Sequence, residues 1–338
     1  MLPGIVTALG AGLVWGLVFI VPLLLPEYSG VQLSFGRYTA FGLIALVVAM
    51  ADRRGLARLR RADWIMAAKL SLVGNIAYYA ALASAIQLAD APLPTMIIGT
   101  LPVWISLFSN LTSHRSQAAH ETIPWKHLLW PLLIILTGII FVNISEMSQL
   151  GNITDNPSQR SLQNYFTGIG CSLAGLAAWT WYPIQNSRHI KHNHHIHPIT
   201  WATAQGITTL PVALLGLLLY ALVQSHQRGV WVSPLGPDAG RFCLIMLVIG
   251  LMASWVGTLL WNFSSRHLPT ALAGQLIVFE TLAALLYAFL LRGTLPPPMV
   301  LAGAVLLCLG VALAVRLFQA SPVANNNPGC MAEPDLLE

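Results

Sequence analysis

The chain has 338 residues, a formal net charge of +5, and 56% hydrophobic against only 9% charged residues. Soluble domains carry about a quarter charged residues, so a soluble enzyme or binding domain is excluded. The cations lie in short segments between apolar runs rather than on one face, which excludes a nucleic-acid surface and leaves an all-α integral membrane protein.

Ten apolar runs follow one another at 4–25, 31–51, 64–86, 91–110, 128–144, 165–185, 199–223, 242–262, 268–291 and 298–318. Each approaches the length that crosses a hydrocarbon core as a helix, the run at 128–144 being the shortest. The first is expected to stay in the membrane, because it lacks the basic segment and small-residue cleavage site of a signal peptide. Gly12-x-x-x-Gly16 in the first run and Ala174-x-x-x-Ala178 in the sixth are spacings for close helix contact. The polar, Pro/Asn-rich segment 319–338 reads as a disordered cytoplasmic tail. Cys171, Cys243, Cys308 and Cys330 show no paired spacing, so neither a disulfide nor a zinc site is indicated.

Orientation follows from Lys and Arg in the connecting segments. With the amino terminus inside, the inner segments hold Arg53, Arg54, Arg58, Arg60, Arg61, Arg115, Lys126, Arg188, Lys191, Arg266 and Arg316. The outer segments hold only Arg160, Arg228, Arg241 and Arg292, so both termini are expected in the cytoplasm.

The runs fall into two copies of five. Pro124 precedes Gly138 by 14 residues as Pro296 precedes Gly310. Trp15 matches Trp179, Tyr79 matches Trp261, and PTMIIGTLPVW in the fourth run matches TALAGQLIVFET in the ninth. Five is odd, so the second copy enters from the opposite side: two inverted five-helix repeats, 4–144 and 165–318, joined by an external linker at 145–164.

The ninth run carries one charge, Glu280, roughly 18 Å along at about 1.5 Å per residue. That is near the midplane, where a charge costs on the order of 3 kcal/mol, so an acid there is by default a functional-site candidate. Thr270, Ala271, Ala273, Gly274, Gln275 and Thr281 around it are small or polar and leave room for a ligand or a neighbouring helix. The plainer alternative is a carboxyl that only ties two helices together. Arg37, seven residues into the second run, either snorkels to the headgroups or turns inward towards Glu280 or a substrate carboxylate. Trp15, Tyr78, Tyr79, Trp104, Trp179, Tyr182, Trp255 and Trp261 lie inside runs and suit a pocket for a small amphipathic molecule, with plain packing as the alternative. Asn75 and Asn262 read as interhelical hydrogen bonders. RHIKHNHHIH at 188–197 has five histidines but neither acid nor cysteine, and reads as a solvated basic loop rather than a metal site. No cofactor is indicated.

With GLVWGLVF in the first run, SFGRY in the second, APLPTMIIGTLPV at 91–103 and LIVFETLAALLYAFLLRG at 276–293, the chain resembles the EamA-type family of the drug/metabolite transporter superfamily over about 4–318. The resemblance implies a bacterial cytoplasmic-membrane exporter of amino acids or related metabolites, working by alternating access. Many members carry Glu-Pro in the ninth helix. Here it is Glu280-Thr281, which implies a straighter helix. On this reading Glu280 engages the substrate amine or a coupling proton, while Arg37, Trp15, Tyr79, Trp179, Tyr182, Trp261 and Gln275 shape the pocket. The rivals are an importer, separated only by flux direction, a sensor, and a membrane-embedded enzyme. The enzyme is disfavoured because no histidine lies mid-span and Glu280 is the one mid-span acid.

Overall fold

Lipid offers backbone amides no partner, so a chain this apolar must satisfy them within itself. The computed structural model describes residues 2–89, 92–115, 124–151, 162–293 and 295–319, and among them helices do this and no strand occurs. The tail expectation and the middle of the linker fall on 320–338 and 152–161, outside the described residues, while the linker's ends, 145–151 and 162–164, belong to helices.

The long helices are α1 (Leu2–Ile20), α2 (Gly30–Ala51), α3 (61–89), α4 (92–115), α5 (Trp125–Gly151), α6 (Leu162–His192), α7 (Pro198–Arg228), α8 (Ala239–His267), α9 (270–292) and α10 (Pro298–Gln319), with the short helices Val21–Leu24 and Arg53–Ala57 between them. Their ends are set locally. The Ser29 hydroxyl accepts from Gln32 N at 3.2 Å to start α2. His197 Nδ1 accepts from Ile199 N at 3.3 Å, with Pro198 at the first position of α7. Gly229 at φ 67° and Gly293 at φ 62° close α7 and α9 in the left-handed conformation that glycine adopts without strain.

Among the described residues eight helices are long and apolar enough to cross a membrane. The other two runs fall short for visible reasons. The fourth is broken at Thr100 into Pro92–Gly99 and Leu101–Arg115. The sixth lies in a 31-residue helix whose apolar stretch 165–184 is itself diluted by Gly, Ser, Thr, Trp and Tyr. That helix also corrects the reading of 188–197 as a loop, since α6 continues through His192. Among the described residues no group of three or more His, Cys, Asp or Glu is placed to hold a metal.

α9 bears on a second expectation. With no proline at position 281, the helix is interrupted at one residue only, Ile277, which keeps helical φ −57° and ψ −28° between Thr270–Leu276 and Val278–Arg292. α3 and α8 are each loosened midway by a seven-residue π-helical stretch, Ser71–Ala77 and Gly250–Val256.

Packing is crosswise. α2 lies against α7 and α5 against α10, while α1 packs on α8 and α9, and α6 on α3 and α4. The two small residues in α1 set the α1–α9 distance: a Cβ on Gly12 would sit 3.0 Å from Glu280 N, and one on Gly16 would sit 2.7 Å from Ala283 Cβ. The small-residue spacing read from sequence is therefore used as a close contact. At one end of the molecule Thr200 Oγ1 donates to Asp52 Oδ2 at 2.5 Å, Arg266 donates to the His194 carbonyl, and His189 meets Asp63 at 3.1 Å. At the other end Tyr28 OH donates to Leu235 O at 3.1 Å and Gln32 Nε2 donates to Pro234 O at 2.9 Å.

Candidate functional site

The break in α9 gives Glu280 its setting. The acid lies in the first turn of the half-helix Val278–Arg292, with its backbone N–H donating to Ile277 O at 2.9 Å. Glu280 is half-buried, and among the described residues no protein group hydrogen-bonds its carboxylate.

Arg37 turns inward. Its Nε donates to Ser254 Oγ at 2.9 Å, in the π-helical stretch of α8, and its guanidinium carbon lies 5.1 Å from the Tyr38 ring centroid. Arg37, Tyr38 and Tyr78 all lie within electrostatic reach of Glu280. Arg37 and Glu280 form no ion pair, so each charge keeps capacity for a partner that is not protein.

Tyr78, within reach of the acid, belongs to a chain of rings. Trp15 meets Trp261 at 5.5 Å and Trp179 at 6.0 Å, and Trp179 stacks on both Tyr78 and Tyr182 at 4.9 Å. Gly74 makes this possible, because a Cβ there would lie 2.2 Å from Tyr182 Cδ2. The rings end on a buried amide cluster. Tyr182 OH donates to Gln205 Oε1 at 2.9 Å, and Gln205 Nε2 donates to Asn186 Oδ1 at 3.1 Å. Asn186 Oδ1 also accepts from Trp201 Nε1 at 2.8 Å, and Asn186 Nδ2 donates to Asn262 Oδ1 at 2.9 Å. Trp201 in turn stacks on His189 at 4.5 Å. At that exposed end of α6, burial pushes the His189 imidazole pKa down while the Asp63 carboxylate pulls it up, and burial is the larger effect.

The sequence pattern of the EamA-like transporter family matches residues 2–144. The chain is also 44% identical over 326 residues to inner membrane protein YtfF of Escherichia coli (strain K12), covering 96% of this chain and 99% of that protein. This chain belongs to the EamA-like transporter family. The family pattern covers the first half of the chain, and the likeness to YtfF runs over both halves. Uncharacterized transporter YoaV of Bacillus subtilis (strain 168) is 19% identical over 322 residues, covering 92% of this chain and 96% of that one. A chain in a solved crystal structure superposes with a TM-score of 0.69 at 16% identity, covering 94% of this chain and 98% of that one, a likeness of fold alone.

In this EamA-type chain the residues picked from sequence divide into two groups. Trp15, Trp179, Tyr182 and Trp261 share the ring chain, and Arg37 and Glu280 share the charged region beside it. Tyr79 is elsewhere. It packs with Ile76 and Trp255 against Tyr38, Phe41 and Ala213, and its neighbour Tyr78 joins the rings instead. Gln275 is buried and donates to Leu128 O at 3.2 Å, towards α5. Trp104 is 40% exposed and stacks on Phe108. Asn75 and Asn262 make interhelical bonds, to Thr209 Oγ1 at 3.3 Å and to Asn186. Asn186, Trp201, Gln205 and Ser254 do not stand out in the sequence. The available signal was Gln and Asn recurring on α6 and α7, where buried amides need one another.

Proposed function

We propose that the protein exports small zwitterionic metabolites, amino acids or related compounds, across the bacterial inner membrane by alternating access between two inverted five-helix repeats. Glu280 carries the reading: a half-buried carboxylate at a helix break, unbonded by protein, within reach of Arg37 but not paired with it. An amine on Glu280 and a carboxylate near Arg37 would complement both charges of a zwitterion, with the rings beside them for its apolar part. Broken helices facing a midplane site and repeat-related halves are the working parts of alternating access. Breaks in α4 and α9, π-helical stretches in α3 and α8, and crosswise packing of α1 and α6 all support relating the halves.

The test compares metabolite release by cells overproducing the chain with release by cells lacking it. Amino-acid-like compounds should accumulate outside the overproducer. Equal release overturns export, and faster uptake by the overproducer turns the reading into import.

Orientation has its own test. Reporter fusions at 52–63, 111–127, 188–197 and the tail are expected to read cytoplasmic, and those at 145–164 and 224–241 external. The contacts of 52–63 with 189–200, and of 28–32 with 234–238, support grouping each pair of segments at one end of the molecule. A fusion at 150 that reads cytoplasmic overturns both the orientation and the inversion.

A further inference from the structure

α6 shows a second stripe, away from the ring chain. Leu173, Trp181, Ile184 and Arg188 lie on one face, across from Trp104 and Phe108 of the half-helix Leu101–Arg115, and the two helices enclose a groove of about 480 Å³. The lining is mostly apolar, interrupted by the hydroxyls of Thr112 and Thr180, and its charged end is Arg188 beside Gln185. From Leu173 to Arg188 the stripe runs about 22 Å at a rise of roughly 1.5 Å per residue. Half a bilayer, hydrocarbon plus headgroup region, is about 20–22 Å. The groove is therefore one leaflet deep, with its cation at headgroup level and its apolar end near the midplane.

Arg188 decides what chemistry suits the headgroup. Its guanidinium is half-buried and, among the described residues, has no acidic or carbonyl partner. A planar guanidinium in that position matches a phosphate oxygen pair better than it matches water. An apolar slot ending in an unpaired cation is complementary to a molecule with an acyl chain and an anionic head.

We propose that the groove between α4 and α6 seats one acyl chain of an anionic phospholipid from the leaflet at the Arg188 end, with the headgroup phosphate on Arg188. Bound there, the lipid fills the seam beside the break in α4, on the same helix that carries Trp179 and Tyr182. The inference rests on membrane insertion alone and stands whether or not the protein exports metabolites.

The test is native mass spectrometry of the purified full chain incubated with phosphatidylglycerol or phosphatidylethanolamine of the same acyl composition. The unaltered chain is expected to retain phosphatidylglycerol roughly fivefold better, the weight of one basic residue at an anionic surface. Arg188→Gln should remove that preference, while Arg61→Gln, an exposed cation outside the groove, should keep it. Ala177→Trp, which fills the slot, should lose both lipids at an unchanged melting temperature. Equal retention of the two lipids by the unaltered chain overturns the proposal. So does a preference that survives Arg188→Gln, one that Arg61→Gln removes equally, or lipid retained at the original level by Ala177→Trp.

Discussion

Glu280→Gln is expected to insert and fold at normal levels while metabolite release falls on the order of a hundredfold. The amide keeps the shape of the acid but cannot carry its charge. The carboxylate accepts no hydrogen bond from protein among the described residues, so the substitution breaks no bond within the fold. If Glu280 were only a tie between helices, its contribution would be near the average of about 0.6 kcal/mol for such bonds, and an amide could replace it. If it instead balances a substrate cation near the midplane, the relevant scale is the cost of an unbalanced charge there, about 3 kcal/mol, or roughly a hundredfold. The two magnitudes separate the roles. Glu280→Asp, which keeps the charge but shortens its reach, should fall between. Release by Glu280→Gln equal to the unaltered protein, at matched expression, removes Glu280 from the mechanism and leaves the fold untouched.

How far the sequence discloses this arrangement depends on whether the cause is local. The apolar runs and the lone acid are properties of single segments, and both are plain in the sequence. The break at Ile277 is not, because its cause is tertiary. Residues before it pack on α4, where Ser106 Oγ donates to Ala271 O at 2.9 Å and Ile105 closes on Gly274. Residues after it pack on α1 at Gly16. Two partners at different offsets divide the helix without any proline. Gln275 looked like a neighbour of Glu280 because the two are five residues apart, yet five residues turn an α-helix by about 140° beyond a full circle. That directs Gln275 to Leu128 rather than to the acid. Tyr79 was paired with Trp261 by counting along the repeat. Aligning the π-helical stretches Ser71–Ala77 and Gly250–Val256 instead sets Tyr79 opposite Thr258, three residues short of Trp261, and it is Tyr78 that reaches the ring face. The helical end of α6 was hidden for a related reason. Gln185, Asn186 and Ser187 read as a boundary when their partners are unknown, whereas Asn186 is satisfied by residues of α7 and α8.

Asn186→Leu is expected to lower the melting temperature of the detergent-purified protein more than any other single polar-to-apolar change on α6. One side chain there serves three partners on two helices: Trp201 Nε1 and Gln205 Nε2 donate to it, and it donates to Asn262 Oδ1. At the intramembrane average of about 0.6 kcal/mol each, the three bonds come to about 2 kcal/mol. Leucine also leaves two donors and an acceptor buried without partners, at about 1–3 kcal/mol apiece where no water reaches them. The second effect dominates, so a loss of about 4 kcal/mol or more is expected, seen as a fall of roughly 10 °C. Asn262→Leu removes only the bond to Asn186 and should cost less than half as much. The double variant should fall short of the sum, since both changes delete the same bond. Gln205 also holds Tyr182, which stacks on Trp179, so loosening the amides should reach the ring chain. Near-ultraviolet circular dichroism, which senses ordered aromatic rings, should weaken for Asn186→Leu below its melting temperature. A variant that melts within a degree of the unaltered protein with its aromatic signal intact would reduce this cluster to filler. The rings would then owe their stacking to Gly74 and their own packing.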